Sequence, residues 1–171
     1  METPRVLVIS HNVFSTTGNM GKTMMHMLAG IPPERLAQLY FYPETPAQRC
    51  CLRYFRITDS EVLRSVFTRR AGGRTFGAKD IGTAADQTEH GALKRVYHFS
   101  RQRTAPIYFL RNGMWTLGKW KSPALLNWAK AFRPDVIFFA AGDYAFAYRV
   151  TLSLAKTLQI PVVMWCADDY Y

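Results

Sequence analysis

The chain has 171 residues, 49% hydrophobic and 20% charged, a length and composition that suit one packed domain and exclude global disorder. No apolar run approaches the ~20 residues of a membrane-spanning helix, and Arg5 leads straight into a strand pattern rather than a secretory leader. The net charge is +10, and all of the excess lies between Arg49 and Lys121, which hold 15 Lys and Arg against 5 Asp and Glu. A localised basic stretch attracts phosphate, nucleic acid or anionic lipid, or is simply a solvated face. The three cysteines (Cys50, Cys51, Cys166) lack metal-ligand spacing and suit a reducing cytoplasm.

In chain order, residues 5–10 (RVLVIS) read as a buried strand, followed by a loop over 11–20 and a helix over 21–30 that stops at Gly30 before Pro32-Pro33. Residues 36–42 read as a second strand and 51–57 as a third, alternating one. Asp59 or Ser60 caps a short helix over 61–68. Residues 70–92 are glycine-rich and read as a mobile loop, and 93–117 as partly helical. Ser122-Pro123 opens a helix over 124–132, and 136–140 (VIFFA) form a buried strand. Asp143 caps a helix over 144–158, and 160–165 (IPVVMW) make a last buried strand. Short continuous apolar runs mark strands covered on both faces. The expected fold is therefore α/β, a Rossmann-like doubly wound and mainly parallel sheet.

Candidate functional residues gather where such sheets bind ligands, at the carboxyl ends of the strands. Gly18, Asn19, Met20, Gly21 and Lys22 link the first strand to its helix. Small residues admit close backbone approach, free N–H groups at a helix start attract anions, and Lys22 adds a full charge. The segment resembles the end of a phosphate-binding P-loop, but Thr16 stands where that motif needs its first glycine. The plain alternative is a flexible connection with a surface lysine. His11 follows the first strand directly and is either a site residue or a loop histidine bonded to backbone. Asp143 is either a helix cap or a cleft residue. Asp168 and Asp169 follow the last strand; they suit acid–base work, sugar-hydroxyl binding or, as a weak signal lacking further ligands, a metal, or else form a turn or a cap. Tyr144, Phe146 and Tyr148 have the spacing of core aromatics, and His26 that of helix packing.

Residues 5–28 (RVLVISHNVFSTTGNMGKTMMHML), 132–146 (FRPDVIFFAAGDYAF) and 160–171 (IPVVMWCADDYY) resemble, in order and spacing, the N-terminal domain of group 1 glycosyltransferases with the GT-B fold. The resemblance implies the acceptor-side half of a two-domain enzyme whose companion C-terminal domain holds most of a nucleotide-sugar donor. It implies sugar transfer to a saccharide or lipid-linked acceptor with retention at the anomeric carbon. It implies no metal and no cofactor, the nucleotide-sugar being a substrate. Gly18, Asn19, Met20 and Gly21 would approach the donor diphosphate or the acceptor, and Asp168 would match the family's acid. Many members carry a histidine just before that acid, where this chain has Ala167. The isolated chain is expected to be inactive, and the basic segment 49–121 is expected to meet an anionic membrane on its cytoplasmic side. Two rivals stand beside this reading: a single-domain nucleotide-binding protein with a degenerate P-loop, and a basic nucleic-acid-binding module. The absence of any nucleic-acid motif weakens the second.

Overall fold

The computed structural model describes residues 2–82 and 105–166. Six strands form one sheet in the order β4-β3-β2-β1-β5-β6. They are β1 (Val6–Ser10), β2 (Leu36–Tyr40), β3 (Arg53–Arg56), β4 (Arg74–Phe76), β5 (Val136–Ala141) and β6 (Val162–Cys166). All neighbours run parallel except β3 and β4. The expected α/β, Rossmann-like sheet is the observed one. β1 lies between β2 and β5, so the chain reverses its direction of winding at β1, and the β1/β5 boundary is the topological switch point.

Strand alternation assigns side chains to two faces. Odd positions Leu7, Ile9, Ala37, Leu39, Phe55, Ile137 and Phe139 face one core. That core is closed by α2 (Asp59–Thr68), α3 (Ala105–Leu117), α4 (Pro123–Phe132) and α5 (Ala145–Leu158), through Val62, Trp115, Leu125, Phe132, Phe146, Val150 and Leu154. Even positions Val6, Val8, Leu36, Tyr40 and Tyr54 face the other, where α1 (Asn19–Met27) supplies Met24 and, just past its end, Leu28. α1 is the one helix on that face among the described residues.

Several local expectations are corrected. The helix after β3 starts at Asp59 because Thr58, not Asp59 or Ser60, is its cap: Thr58 Oγ1 accepts from Glu61 N, and the Glu61 carboxylate accepts from Thr58 N at 2.7 Å. Asp143 does not cap α5; Tyr144 occupies that position without a side-chain capping bond. α1 ends at Met27 with Leu28 as cap, short of Gly30. Three other helices end on left-handed residues that are not glycine: Arg69 (φ 56°), Arg133 (φ 52°) and Gln159 (φ 56°). The glycine-rich stretch contains β4, three residues pairing antiparallel with β3, and residues 83–92 of that expected loop lie outside the described residues.

β6 is not the buried strand its composition predicts. It lies at the edge of the sheet; Val163, Met164 and Cys166 are exposed, and Val162 and Trp165 only half-buried. Trp165 stacks on Phe138 with ring centroids 6.5 Å apart, yet Phe138 and Val136 also remain half-buried on the α1 face. That half of the α1 face carries no helix among the described residues.

Candidate functional site

The β1–α1 loop is pinned before it reaches the helix. Gln38, wholly buried on β2, accepts from Phe14 N (3.1 Å) and donates to Ser10 Oγ (2.8 Å) and Asn12 O (3.0 Å). Glu44, past the end of β2, accepts from Val13 N at 3.1 Å. Ser15 Oγ accepts from Thr17 N and Gly18 N. The loop amides from Val13 to Gly18 that a P-loop would turn on phosphate are thus largely engaged within the protein. Lys22 N bonds Gly18 O, so the amides of the first helical positions, Asn19, Met20 and Gly21, precede the helix's own ladder and suit an anion, together with the Ser15 and Thr16 amides of the loop. The Gly18 cap position has no side-chain bond, and Lys22 is exposed.

The two glycines do different work. At Gly21 a Cβ would sit 2.4 Å from Val13 O and 2.9 Å from Ser15 N, so only glycine lets the helix lie against the loop. At Gly18 a Cβ meets nothing nearer than 3.7 Å, at φ −84°. Gly21→Ala is expected to cost about 1–3 kcal/mol through overpacking against backbone. Gly18→Ser is expected to stabilise by roughly a few tenths of a kcal/mol through a new cap. Thermal unfolding of the two variants checks both signs.

At the switch point, His11 turns towards the odd-residue core. Its ring lies 5.3–5.7 Å, centroid to centroid, from those of Phe41, Tyr42, Tyr144 and Phe146. Gly142, past β5, makes room for it: a Cβ at 142 would lie 3.0 Å from the ring. His11 O accepts from Phe41 N and Tyr42 N, tying the ends of β1 and β2. The loop-histidine alternative required a backbone partner for the ring. Instead both ring nitrogens are shut off from solvent and make no hydrogen bond among the described residues. Burial, and secondarily the positive charge of Arg111, lower the His11 pKa from 6.5 to about 3, so the ring is neutral at ordinary pH. It therefore offers one N–H donor and one bare nitrogen acceptor.

Arg111, on α3, is a site residue that sequence reasoning missed. Its guanidinium lies over Tyr144 at 3.9 Å and Phe146 at 4.8 Å. Among the described residues only its Nε is bonded, 2.9 and 3.1 Å from the two Asp59 oxygens. Asp59 also accepts from Trp115 Nε1 at 2.7 Å. Nothing local in the sequence signals this cluster, because 52 residues separate the acid from the base. Asp143 lies at the same rim, half-buried, beside Gly142 and Tyr144. His11, Gly142, Asp143 and Tyr144 thus come together around the β1/β5 boundary, with Arg111 behind them. The α1 start belongs to the same carboxyl rim but to the other face of the sheet. Asp168 and Asp169 lie outside the described residues.

Other features carry no chemistry. Cys51 is buried, donates to Leu36 O and Arg53 O, and has its thiol pKa pushed up to about 12 by burial. An apolar cavity of about 100 Å³ under α1, lined by Phe14, Leu28, Leu36 and Cys50 among others, is well below the ~300 Å³ at which small-molecule sites begin. Among the described residues no three His, Cys, Asp or Glu side chains gather as a metal site, and no helix is long and apolar enough to cross a membrane. No family model matches the chain, and comparison with curated proteins and with solved structures gave no match.

Proposed function

We propose that this chain is the acceptor-side domain of a group 1, GT-B-type sugar transferase. It would work with a companion donor-binding domain, on a nucleotide-sugar and a saccharide or lipid-linked acceptor, at the cytoplasmic side of a membrane. The observation that carries the reading is the switch point. There the β1–α1 turn, leading into the first helical amides, and the His11–Gly142–Asp143–Tyr144 group occupy one rim of a parallel sheet. A diphosphate suits the α1 start with Lys22 beside it, while His11, its ring nitrogens closed off from solvent, would shape the rim from behind and leave sugar hydroxyls to groups that face the cleft. Catalysis would rest on positioning and on neutralising the leaving diphosphate, with Asp168 and Asp169 as the candidate acids and no metal or cofactor required. The engagement of the Val13–Gly18 amides weighs against the P-loop alternative.

The test is an NMR titration of the isotope-labelled chain with a nucleoside diphosphate, its sugar conjugate, and Mg·ATP. Shifts confined to 11–22 and 142–144, induced by the first two ligands without magnesium, are the expected result. Magnesium-dependent ATP binding, or shifts scattered away from both turns, would overturn the reading. The chain alone is expected to bind without turning over.

A further inference from the structure

We propose that α2 and α3 together form a docking face for an anionic lipid bilayer. The inference rests on the preceding reading only in saying how a lipid-linked acceptor is reached; vesicle binding is read separately from nucleotide binding. The two helices are one surface unit. Asp59 holds Arg111 and Trp115, Ser65 Oγ accepts from Lys119 N at 2.8 Å, and the backbone at Gly118 lies against Val62. On α3, Ile107, Arg111 and Trp115 make the inner stripe, and Phe109, Leu110 and Leu117 are left on the outer half. Phe109 is 79% exposed. On α2, Leu63 and Phe67 lie one turn apart on the outside, with Phe67 80% exposed. Five large apolar side chains in water on two neighbouring helices are more than isolated surface leucines would explain.

Charge decides what covers them. Arg64, Arg69, Arg70 and Lys119 are exposed on or beside these helices. Both acids of α2 are engaged internally, Asp59 by Arg111 and Trp115 and Glu61 by Thr58, so the outward charge is positive. Basic heads around bulky apolar side chains match an interfacial surface: the heads meet anionic headgroups and the apolar chains reach the acyl boundary. Nucleic acid is the weaker fit, because Leu63, Leu110 and Leu117 have nothing to stack on a base.

The test is sedimentation of the chain with phosphatidylcholine vesicles, with or without phosphatidylglycerol, in about 0.1 M and 0.5 M salt. The expected result is binding to the anionic vesicles only, weakened at high salt. The double variant Phe67→Glu with Phe109→Glu should lose at least tenfold in binding. Arg64→Gln should lose roughly fivefold, the equivalent of ~1 kcal/mol for one basic contact. Both positions are exposed, and circular dichroism with thermal unfolding confirms that the variants keep the fold. Equal binding to neutral and anionic vesicles, no binding to either, or unchanged binding of the double variant would overturn the proposal. So would a dimer that Phe67→Glu dissociates in the absence of any vesicle binding. Nucleotide-induced NMR shifts retained in the double variant separate this outcome from failure of the proposed function.

Discussion

Asp59→Ala is expected to destabilise the fold by about 3–5 kcal/mol, the largest effect of any single substitution considered. Among the described residues the carboxylate is the sole hydrogen-bond partner of the Arg111 guanidinium, which is only 4% exposed and is enclosed by Tyr144 and Phe146. Its removal strands a buried cation, orphans Trp115 Nε1, and takes a negative charge from the first turn of α2. Asp59→Asn keeps an acceptor for Trp115 and should lose less. Urea unfolding at unchanged m-value measures both. A loss under 1 kcal/mol in the alanine variant would mean that apolar packing alone holds α3 to α2. The prediction concerns breaking the pair, which is a different quantity from its worth against an apolar replacement of the same shape.

Acid is expected to destabilise the native state through His11, beginning near pH 6.5. The ring's native pKa of about 3 lies below its ordinary 6.5. Between those values the unfolded chain takes up a proton that the native chain refuses. The stabilising contribution is complete above pH 6.5 and is lost as the pH falls, by up to about 1.4 kcal/mol per unit. From pH 6.5 to 5, most unfolded-state carboxylates are still ionised, so the histidine effect stands apart. His11→Phe keeps a flat ring among Phe41, Tyr144 and Phe146 and removes the titration. It should flatten the stability profile over that interval by about 2 kcal/mol in total. Urea midpoints of the two proteins at pH 6.5 and 5 give the difference. Identical pH slopes would show that the imidazole takes up its proton in the folded state.

The parallel core was legible because β1 and β5 are short, continuous apolar runs covered on both faces. The same signal misled at β6: VVMWC has the composition of a central strand, but composition does not record what neighbours supply cover. α3 was obscure because its apolar residues surround the helix instead of lining one face, a pattern explained once Phe109, Leu110 and Leu117 are seen in solvent. β4 was hidden by its brevity among glycines; Gly73, at φ 121°, turns the chain back onto Phe55. The Thr58 cap was legible in principle, since Thr-Asp-Ser-Glu has capping-box spacing, but the two polar residues beside it were equally plausible. At the candidate site, His11 and the glycine turn could be placed from their position after β1. The Asp59–Arg111 pair and Gln38 could not, because their partners are distant in sequence and meet only when the sheet has formed.

The two margins of the sheet are built to opposite specifications. β4 is three residues long, carries Arg74 and runs against its neighbour, so it offers little to a fourth party. β6 is five residues long, parallel and wholly uncharged, and among the described residues its outer row of main-chain donors and acceptors has no strand beside it. Such a margin is a template for strand addition. Among the described residues β6 is therefore the margin where a further strand would add with its main chain in register, whereas the short, reversed and basic β4 resists the same addition.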